Sequence, residues 1–202
     1  MIRFTLALFS FLLGSFPFSL WLGKLFLKTD VRRVGDGNPG AANVFKAGGK
    51  VVGVLALLLD VTKAALPVGL AYHSLEIRGI AMVWIAVAPL LGHVFSPFLR
   101  FRGGKGLAAA LGVWIGLTIW KASLVAVIGV SVGIALTPIP GWAVVLGLCS
   151  ILAALLLWSP DPILLLVWLI VALLLVWTHR ADLRQRPNLR PWLAKYIAIP
   201  RR

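Results

Sequence analysis

The 202-residue chain is poor in the residues on which a water-soluble enzyme builds its surface. Six residues are acidic and only 13% are charged, about half the roughly 25% share of an average globular domain. The single cysteine, Cys149, excludes an intramolecular disulfide and a multi-cysteine metal centre. Placed within an apolar run, it reads as a packed core thiol. Three histidines, His73, His93 and His179, lie too far apart for a Cys/His metal spacing, and there is neither a Walker loop nor a dinucleotide fingerprint. No metal and no cofactor are therefore expected.

What the chain has instead is apolar sequence: 60% of its residues are hydrophobic and the mean hydropathy is +0.98. No soluble core needs that much. Seven apolar segments fall at about 4–27, 51–72, 79–99, 107–120, 122–137, 141–158 and 162–178. The expectation is an all-α membrane protein, one polytopic domain over 1–202 with seven transmembrane helices. No small-residue cleavage site follows the first segment, so it is not read as a cleaved signal peptide. The fourth to sixth segments are short for a hydrocarbon core that takes about 20 residues, which suits tilted or partly buried helices. Trp142, Trp158, Trp168 and Trp177 lie at or near segment ends, as an aromatic belt requires.

The net charge of +14 would suit nucleic acid, but the cations sit in loops and the tail between apolar segments. Anionic lipid headgroups and phosphorylated substrates are the better partners, and no nucleic acid is expected. With the loop 28–50, the loop 100–106 and the tail 179–202 on one side, that side holds Lys28, Arg32, Arg33, Lys46, Lys50, Arg100, Arg102, Lys105 and seven tail cations. The other side keeps Arg3, Arg78 and Lys121. The positive-inside rule then places the N-terminus outside and the C-terminus in the cytoplasm, which an odd number of spans satisfies.

Chemistry concentrates in four places. The stretch 92–112 carries Arg100, Arg102 and Lys105, with Gly103, Gly104 and Gly106 around the lysine, and feeds a helix start. Glycine backbones approach a ligand closely, and a helix N-terminus offers unpaired amides, so this loop suits a phosphate. A basic loop resting on headgroups explains it almost as well. The loop 30–50 holds Gly35, Gly37, Asn38, Pro39, Gly40 and Asn43, too many breakers for a long helix. Its asparagines offer donors and acceptors for hydroxyls or for the loop itself. Asp60 and Lys63 share a face of the second segment and read as a structural ion pair rather than catalytic groups. His179 and Asp182 share a face if the last helix continues, which would orient an imidazole as a general base; a solvated basic tail explains them equally. His73, beside Glu76 and Arg78, reads as a surface histidine. His93, before the glycine loop, is either a binding or a packing residue. The tail beyond Pro187, with Trp192, Leu193, Tyr196 and Ile197 among cations, suits an interfacial segment.

These pieces, in this order, resemble the bacterial acyl-phosphate:glycerol-3-phosphate acyltransferase family (PlsY) over nearly the whole chain. The family's first loop is similar to D-x-R-x-x-G-S-G-N-x-G-A-T-N-x-x-R, matched by Asp30, Arg32, Gly35, Gly37, Asn38, Gly40, Ala41 and Asn43. Its D-x-x-K-G is met by Asp60 and Lys63, with Ala64 in the glycine's place. Its G-H-x-x-x-x-F-x-x-F-x-G-G-K-G is met by Gly92, His93, Phe98, Phe101, Gly103, Gly104, Lys105 and Gly106, and its terminal H-x-x-N by His179. The chain departs from the pattern at Asp36, Ala42, Lys46 and Asp182, where the family has serine, threonine, arginine and asparagine. The G-x-E that usually follows is absent from the tail. A carboxylate at Asp36 beside a phosphate weakens binding unless Arg32, Arg33 or Lys46 neutralises it, and lysine for arginine loses the bidentate fork.

The resemblance implies transfer of a fatty acyl group from acyl phosphate to the sn-1 hydroxyl of glycerol 3-phosphate, giving lysophosphatidic acid and phosphate. It implies a monomer in the bacterial inner membrane, needing no cofactor because the donor is already activated. Lys105, Arg102 and the Gly103 and Gly104 amides are then assigned to a phosphate, with Arg32, Asp36, Gly37, Lys46 and Asp182 completing the binding site. Asn38 and Asn43 orient the acceptor, His179 is the base, and His179, Lys105 and Asn43 form the catalytic set. Two alternatives stay open: a non-catalytic lipid-binding or transport homologue, or an acyltransferase with a different phosphorylated acceptor. The glycerophosphate acyltransferases built on H-x-x-x-x-D find no counterpart here.

Overall fold

Pro17 divides the first membrane segment. The residue before a proline is pushed to extended backbone, and Phe16 adopts it with φ −62° and ψ 122°. The segment expected at 4–27 therefore forms two helices, α1 (Ile2–Ser15) and α2 (Phe18–Phe26), in the computed structural model. A break inside a membrane frees backbone groups that lipid cannot satisfy. Two distant side chains meet that need: Ser96 donates from Oγ to the Ser15 carbonyl at 2.6 Å, and Lys63 from Nζ to the Phe16 carbonyl at 2.7 Å.

The structure describes residues 1–158 and 160–193, and among them there are helices and turns but no strand. Tyr196, Ile197 and the rest of the tail from 194 onward lie outside the described residues. Beyond α2 come a short α3 (Ala41–Lys46) and then α4 (Lys50–Gly69), extended by a π turn, Leu70–Ser74. They are followed by α5 (Ile80–Val94), α6 (Leu107–Thr118), α7 (Lys121–Leu136), α8 (Pro140–Trp158), α9 (Pro162–Thr178) and the four-residue α10 (Arg180–Leu183). All seven apolar segments are thus helical. Four of them, Ile2–Phe26, Lys50–Ser74, Ile80–Leu99 and Pro140–Trp158, are long and apolar enough to cross a membrane. The other three, α6, α7 and α9, are apolar but have 12, 16 and 17 residues.

Between lipid-immersed helices the hydrophobic effect gives no net attraction, so close packing of small residues supplies it. Three helix pairs show this. Gly14 of α1 lies against the Pro89 backbone of α5, and Gly92 of α5 against the Phe11 carbonyl. Gly112 of α6 lies against the Val61 carbonyl of α4, while Gly116, one turn on, lies against Val68. Gly133 of α7 meets Ala143 of α8, and Gly147 meets Val130. A Cβ at Gly14, Gly92 or Gly112 would overlap a backbone carbonyl. Helix α5 runs through the centre, with Met82, Ile85 and Leu90 fully buried, and Trp114 of α6 packs in the same core.

Two sequence expectations are corrected. Cys149 is exposed rather than a core thiol: α8 is apolar on every face, so composition alone does not say which face meets lipid. Trp168 lies inside α9, where its Nε1 donates to the Leu148 carbonyl at 3.0 Å. It ties α9 to α8 instead of standing in an end belt.

Candidate functional site

Three polar segments converge at one end of the bundle. The first, between α2 and α4, opens with a turn, Val31–Arg33, whose cap Asp30 accepts from the Arg32 amide at 3.1 Å. Arg32 also donates to both carboxylate oxygens of Asp30, from Nε to Oδ1 at 3.0 Å and from Nη2 to Oδ2 at 2.6 Å. That hydrogen-bonded pairing holds the Asp30 carboxyl at about 2. Gly37 follows with φ +76°, a left-handed conformation that favours glycine. Asn43, on α3, is 1% exposed, and its Nδ2 donates to Asp36 Oδ1 at 3.0 Å and to the Asn38 carbonyl at 2.9 Å.

The second segment follows α5. Arg100 and Phe101 adopt left-handed backbone, φ 52° and 60°, and turn the chain back on itself. The Gly103 amide then donates to the Val94 carbonyl at 3.0 Å and the Gly104 amide to the His93 carbonyl at 3.1 Å. Side chains at these two positions would overlap the His93 carbonyl and imidazole respectively. The glycines are needed for that approach. Gly106, at φ +88°, releases the chain into α6. The third segment is the end of α9 with α10, where Thr178 Oγ1 donates to the Lys105 carbonyl at 2.8 Å.

Lys105 joins the three. Its amide donates to Asn38 Oδ1 at 2.9 Å, while its Nζ lies 2.9 Å from Asp36 Oδ2 and 3.0 Å from Asp182 Oδ2. Burial would raise the Asp36 carboxyl, but hydrogen bonds from Lys105, the Asn38 amide and Asn43 outweigh it and hold the group at about 2. Asp36 is therefore ionised at neutral pH. Burial opposes the Lys105 charge, and the two carboxylates more than offset it, raising the ammonium above its ordinary value. His179, 4% exposed, sets its Nδ1 2.8 Å from the Leu175 carbonyl. A carbonyl only accepts, so Nδ1 carries the proton and Nε2 keeps a lone pair. Burial lowers the imidazole below its usual 6.5, favouring this neutral form.

Two cavities meet here. A polar cleft of about 650 Å³ is lined by Arg32, Arg100, Arg102, Gly37 and Gly103. A second cavity, of about 370 Å³, descends from Lys46 and His179 between α6, α7 and α8, with walls of Leu111, Trp114, Val127, Leu148 and Ile151. Asp36, Asn38 and Lys105 line both. Among the described residues Arg100, Arg102 and Lys46 make no ion pair, which leaves their charge to the cavities.

The predicted residues thus gather, with changed roles for some. The Gly103 and Gly104 amides end α5 and are not free donors for a phosphate. Asn43 lines neither cavity: its Nδ2 is committed within the loop, while its buried Oδ1 has no hydrogen-bond partner among the described residues. Asp36 is neutralised by Lys105, not by Arg32, Arg33 or Lys46. Asp60 and Lys63 form the expected pair at 2.7 Å with 1% exposure, and Ser19 Oγ donates to Asp60 at 2.6 Å. His93 Nδ1 lies 3.9 Å from Asp60, with its ring against Gly104, so this buried group braces the glycine loop from below. His73 is exposed on the π turn beside Tyr72. Sequence reasoning missed Ser19, Ser96 and Thr178. A hydroxyl inside an apolar run signals that some backbone or carboxylate partner lies near, without naming it.

Fold and site define an integral membrane protein in which a basic cleft and an apolar-walled cavity share one lysine. The chain belongs to the glycerol-3-phosphate acyltransferase family, whose model matches residues 4–187. It is 41% identical over 180 residues to a glycerol-3-phosphate acyltransferase of Anaeromyxobacter sp. (strain K), covering 87% of this chain and 89% of that one. Identity to the same-named protein of Methylobacillus flagellatus is 39% over 177 residues, with the same coverage. Among solved structures it is similar to PlsY (YgiH), an integral membrane glycerol 3-phosphate acyltransferase, in its glycerol 3-phosphate form. The TM-score is 0.84 at 28% identity, over 98% of this chain and 100% of that one. The lysophosphatidic acid form gives 0.84's near equal, 0.83, at 27% identity.

Proposed function

We propose that this chain transfers a fatty acyl group from acyl phosphate to the sn-1 hydroxyl of glycerol 3-phosphate, releasing lysophosphatidic acid and inorganic phosphate. The observation that carries the reading is the meeting of an anion-binding cleft with an apolar-walled cavity at Asp36, Asn38 and Lys105. Each substrate has one anionic and one reactive part, and the donor also has an acyl chain. Glycerol 3-phosphate lies in the polar cleft with its phosphate toward Arg32, Arg100 and Arg102. The acyl chain lies between α6, α7 and α8, and the donor phosphate sits at the cavity mouth by Lys46 and Lys105.

The acceptor oxygen attacks the acyl carbonyl carbon, the bond from that carbon to the phosphate oxygen breaks, and the proton passes to His179 Nε2 or to a phosphate oxygen. Acyl phosphate is activated already, so catalysis rests on positioning and on cations that take up charge on the leaving phosphate. All seven apolar helices span the membrane in this reading, with the N-terminus outside and the site at the cytoplasmic face of a bacterial inner membrane. The excess of cations in loops 28–50 and 100–106 supports it. The chain works as one domain and as a monomer, since both cavities are built from a single copy.

Purified protein in lipid, given palmitoyl phosphate and glycerol 3-phosphate, is expected to release phosphate and lysophosphatidic acid in equal amounts. The same preparation of Lys105→Ala is expected to release neither. Phosphate without lysophosphatidic acid would mean the acceptor is wrong, and full turnover by the variant would remove Lys105 from the site.

A further inference from the structure

The segment that begins in α10 and runs on to Arg190 does more than leave the membrane. Trp142, on the first turn of α8, donates from Nε1 to the Gln185 carbonyl at 3.0 Å, and Gly141 packs against Asp182 and Leu183. Further on, the Arg190 amide donates to the Leu136 carbonyl at 2.9 Å and its Nε to the Ile134 carbonyl at 2.7 Å. These are carbonyls of the last turn of α7, which no intrahelical amide can satisfy and which attract a cation through the helix dipole. At its other end the segment holds Lys105 through Asp182. One stretch of chain therefore ties the lysine of the site to both helices of the α7–α8 hairpin. That hairpin is a wall of the apolar cavity, lined by Ile134, whose carbonyl Arg190 holds, and by Pro140, next to Gly141.

We propose that residues 182–190 form a strap that fixes the α7–α8 hairpin against the site, and that Arg190 is a positioning residue for the acyl donor. The inference rests on the reading of the apolar cavity as the acyl-chain site. Arg190 touches no substrate; it acts by setting the rim through which the chain enters. Arg190 bonds α7, at the end of the strap away from Lys105, while the arginines of the glycerol 3-phosphate cleft lie on the two other loops; loosening that end affects the donor more than the acceptor. Arginine suits the task because a backbone amide and a side-chain N–H of one residue engage carbonyls two residues apart.

The test compares wild type, Arg190→Ala and Arg190→Lys in lipid by two routes. The first measures binding of a non-reactive acyl phosphonate and amide exchange in residues 130–140, neither of which needs turnover. The second measures KM for acyl phosphates of different chain length and for glycerol 3-phosphate. Loss of a charge-assisted hydrogen bond predicts about 10-fold weaker phosphonate binding in Arg190→Ala. Faster exchange at the end of α7, a matching rise in the donor KM and an acceptor KM within about twofold of wild type should accompany it. Arg190→Lys should recover part of each. Unchanged phosphonate affinity, or donor and acceptor KM rising together, would overturn the proposal. A wild type whose phosphonate affinity falls on Arg190→Ala, yet which forms no lysophosphatidic acid, would sustain the strap and refute the reaction.

Discussion

Replacing Asp36 tests the electrostatics of the site most sharply. Its carboxylate is ionised, 44% exposed on its side chain and 2.9 Å from Lys105, and it lines the cleft assigned to glycerol 3-phosphate. An exposed ion pair of this kind contributes only about 0.2–1 kcal/mol to stability, so losing it should leave the fold intact. Its effect on a phosphate is larger. Two like charges roughly 5 Å apart repel by about 0.8 kcal/mol at a dielectric constant near 80 and about 3 kcal/mol near 20. Removing the carboxylate should thus favour glycerol 3-phosphate by about 1–2 kcal/mol, a fall in KM of roughly 5- to 30-fold. Asp36→Asn is the cleaner variant, because Oδ1 can still accept from Asn43 and the Asn38 amide, while Asp36→Ser removes both charge and bulk. The assay is initial rate against glycerol 3-phosphate at low and high salt. The gain should shrink as salt screens the charges. An unchanged or higher KM in both variants at low salt would mean instead that the carboxylate itself holds the acceptor.

Other consequences follow from the same geometry. If neutral His179 takes the proton, kcat/KM should hold above its lowered pKa and fall as pH drops through it, so the acid limb should lie below 6.5. That limb should vanish in His179→Gln, and a limb at or above 6.5, or one that persists in the variant, would speak against the role. Lys63→Met leaves Asp60 buried without its cation, which costs about 3–5 kcal/mol. A large fall in thermal unfolding temperature in detergent is expected, and a fall of less than a few degrees would contradict the brace. Gly112→Val should part α4 from α6 and cost about 1–3 kcal/mol by overpacking, read as lost stability in the same unfolding assay; an unchanged unfolding temperature would mean the helices do not depend on that approach.

The seven apolar segments were legible because each is continuous and bounded by charge or proline. Pro17 carried the signal for the break after α1, yet hydropathy runs straight through it. Which face of a helix meets lipid was not legible, as Cys149 shows: in helices apolar all round, no polar stripe marks the outside. The polar segments gather as their motifs implied and Asp60 and Lys63 pair as expected, but the partners of several other groups were not legible. Whether a glycine amide is free depends on what lies above it, and for Gly103 and Gly104 that is the end of α5, adjacent only in the folded chain. Asp36 has Arg32, Arg33 and Lys46 as sequence neighbours, and its partner is Lys105, 69 positions away. Arg32 was already held by Asp30, two residues before it. Spacing identifies which residues meet; the competition among partners is decided in three dimensions.

If the two cavities serve one reaction, a single product molecule spans both, with its ester at Asp36, Asn38, Lys105 and His179. A structure of the protein with lysophosphatidic acid decides this. The phosphate is expected among Arg32, Arg100 and Arg102 and the acyl chain between α6, α7 and α8. A chain lying on the outer face of the bundle, or a phosphate remote from those arginines, would contradict it.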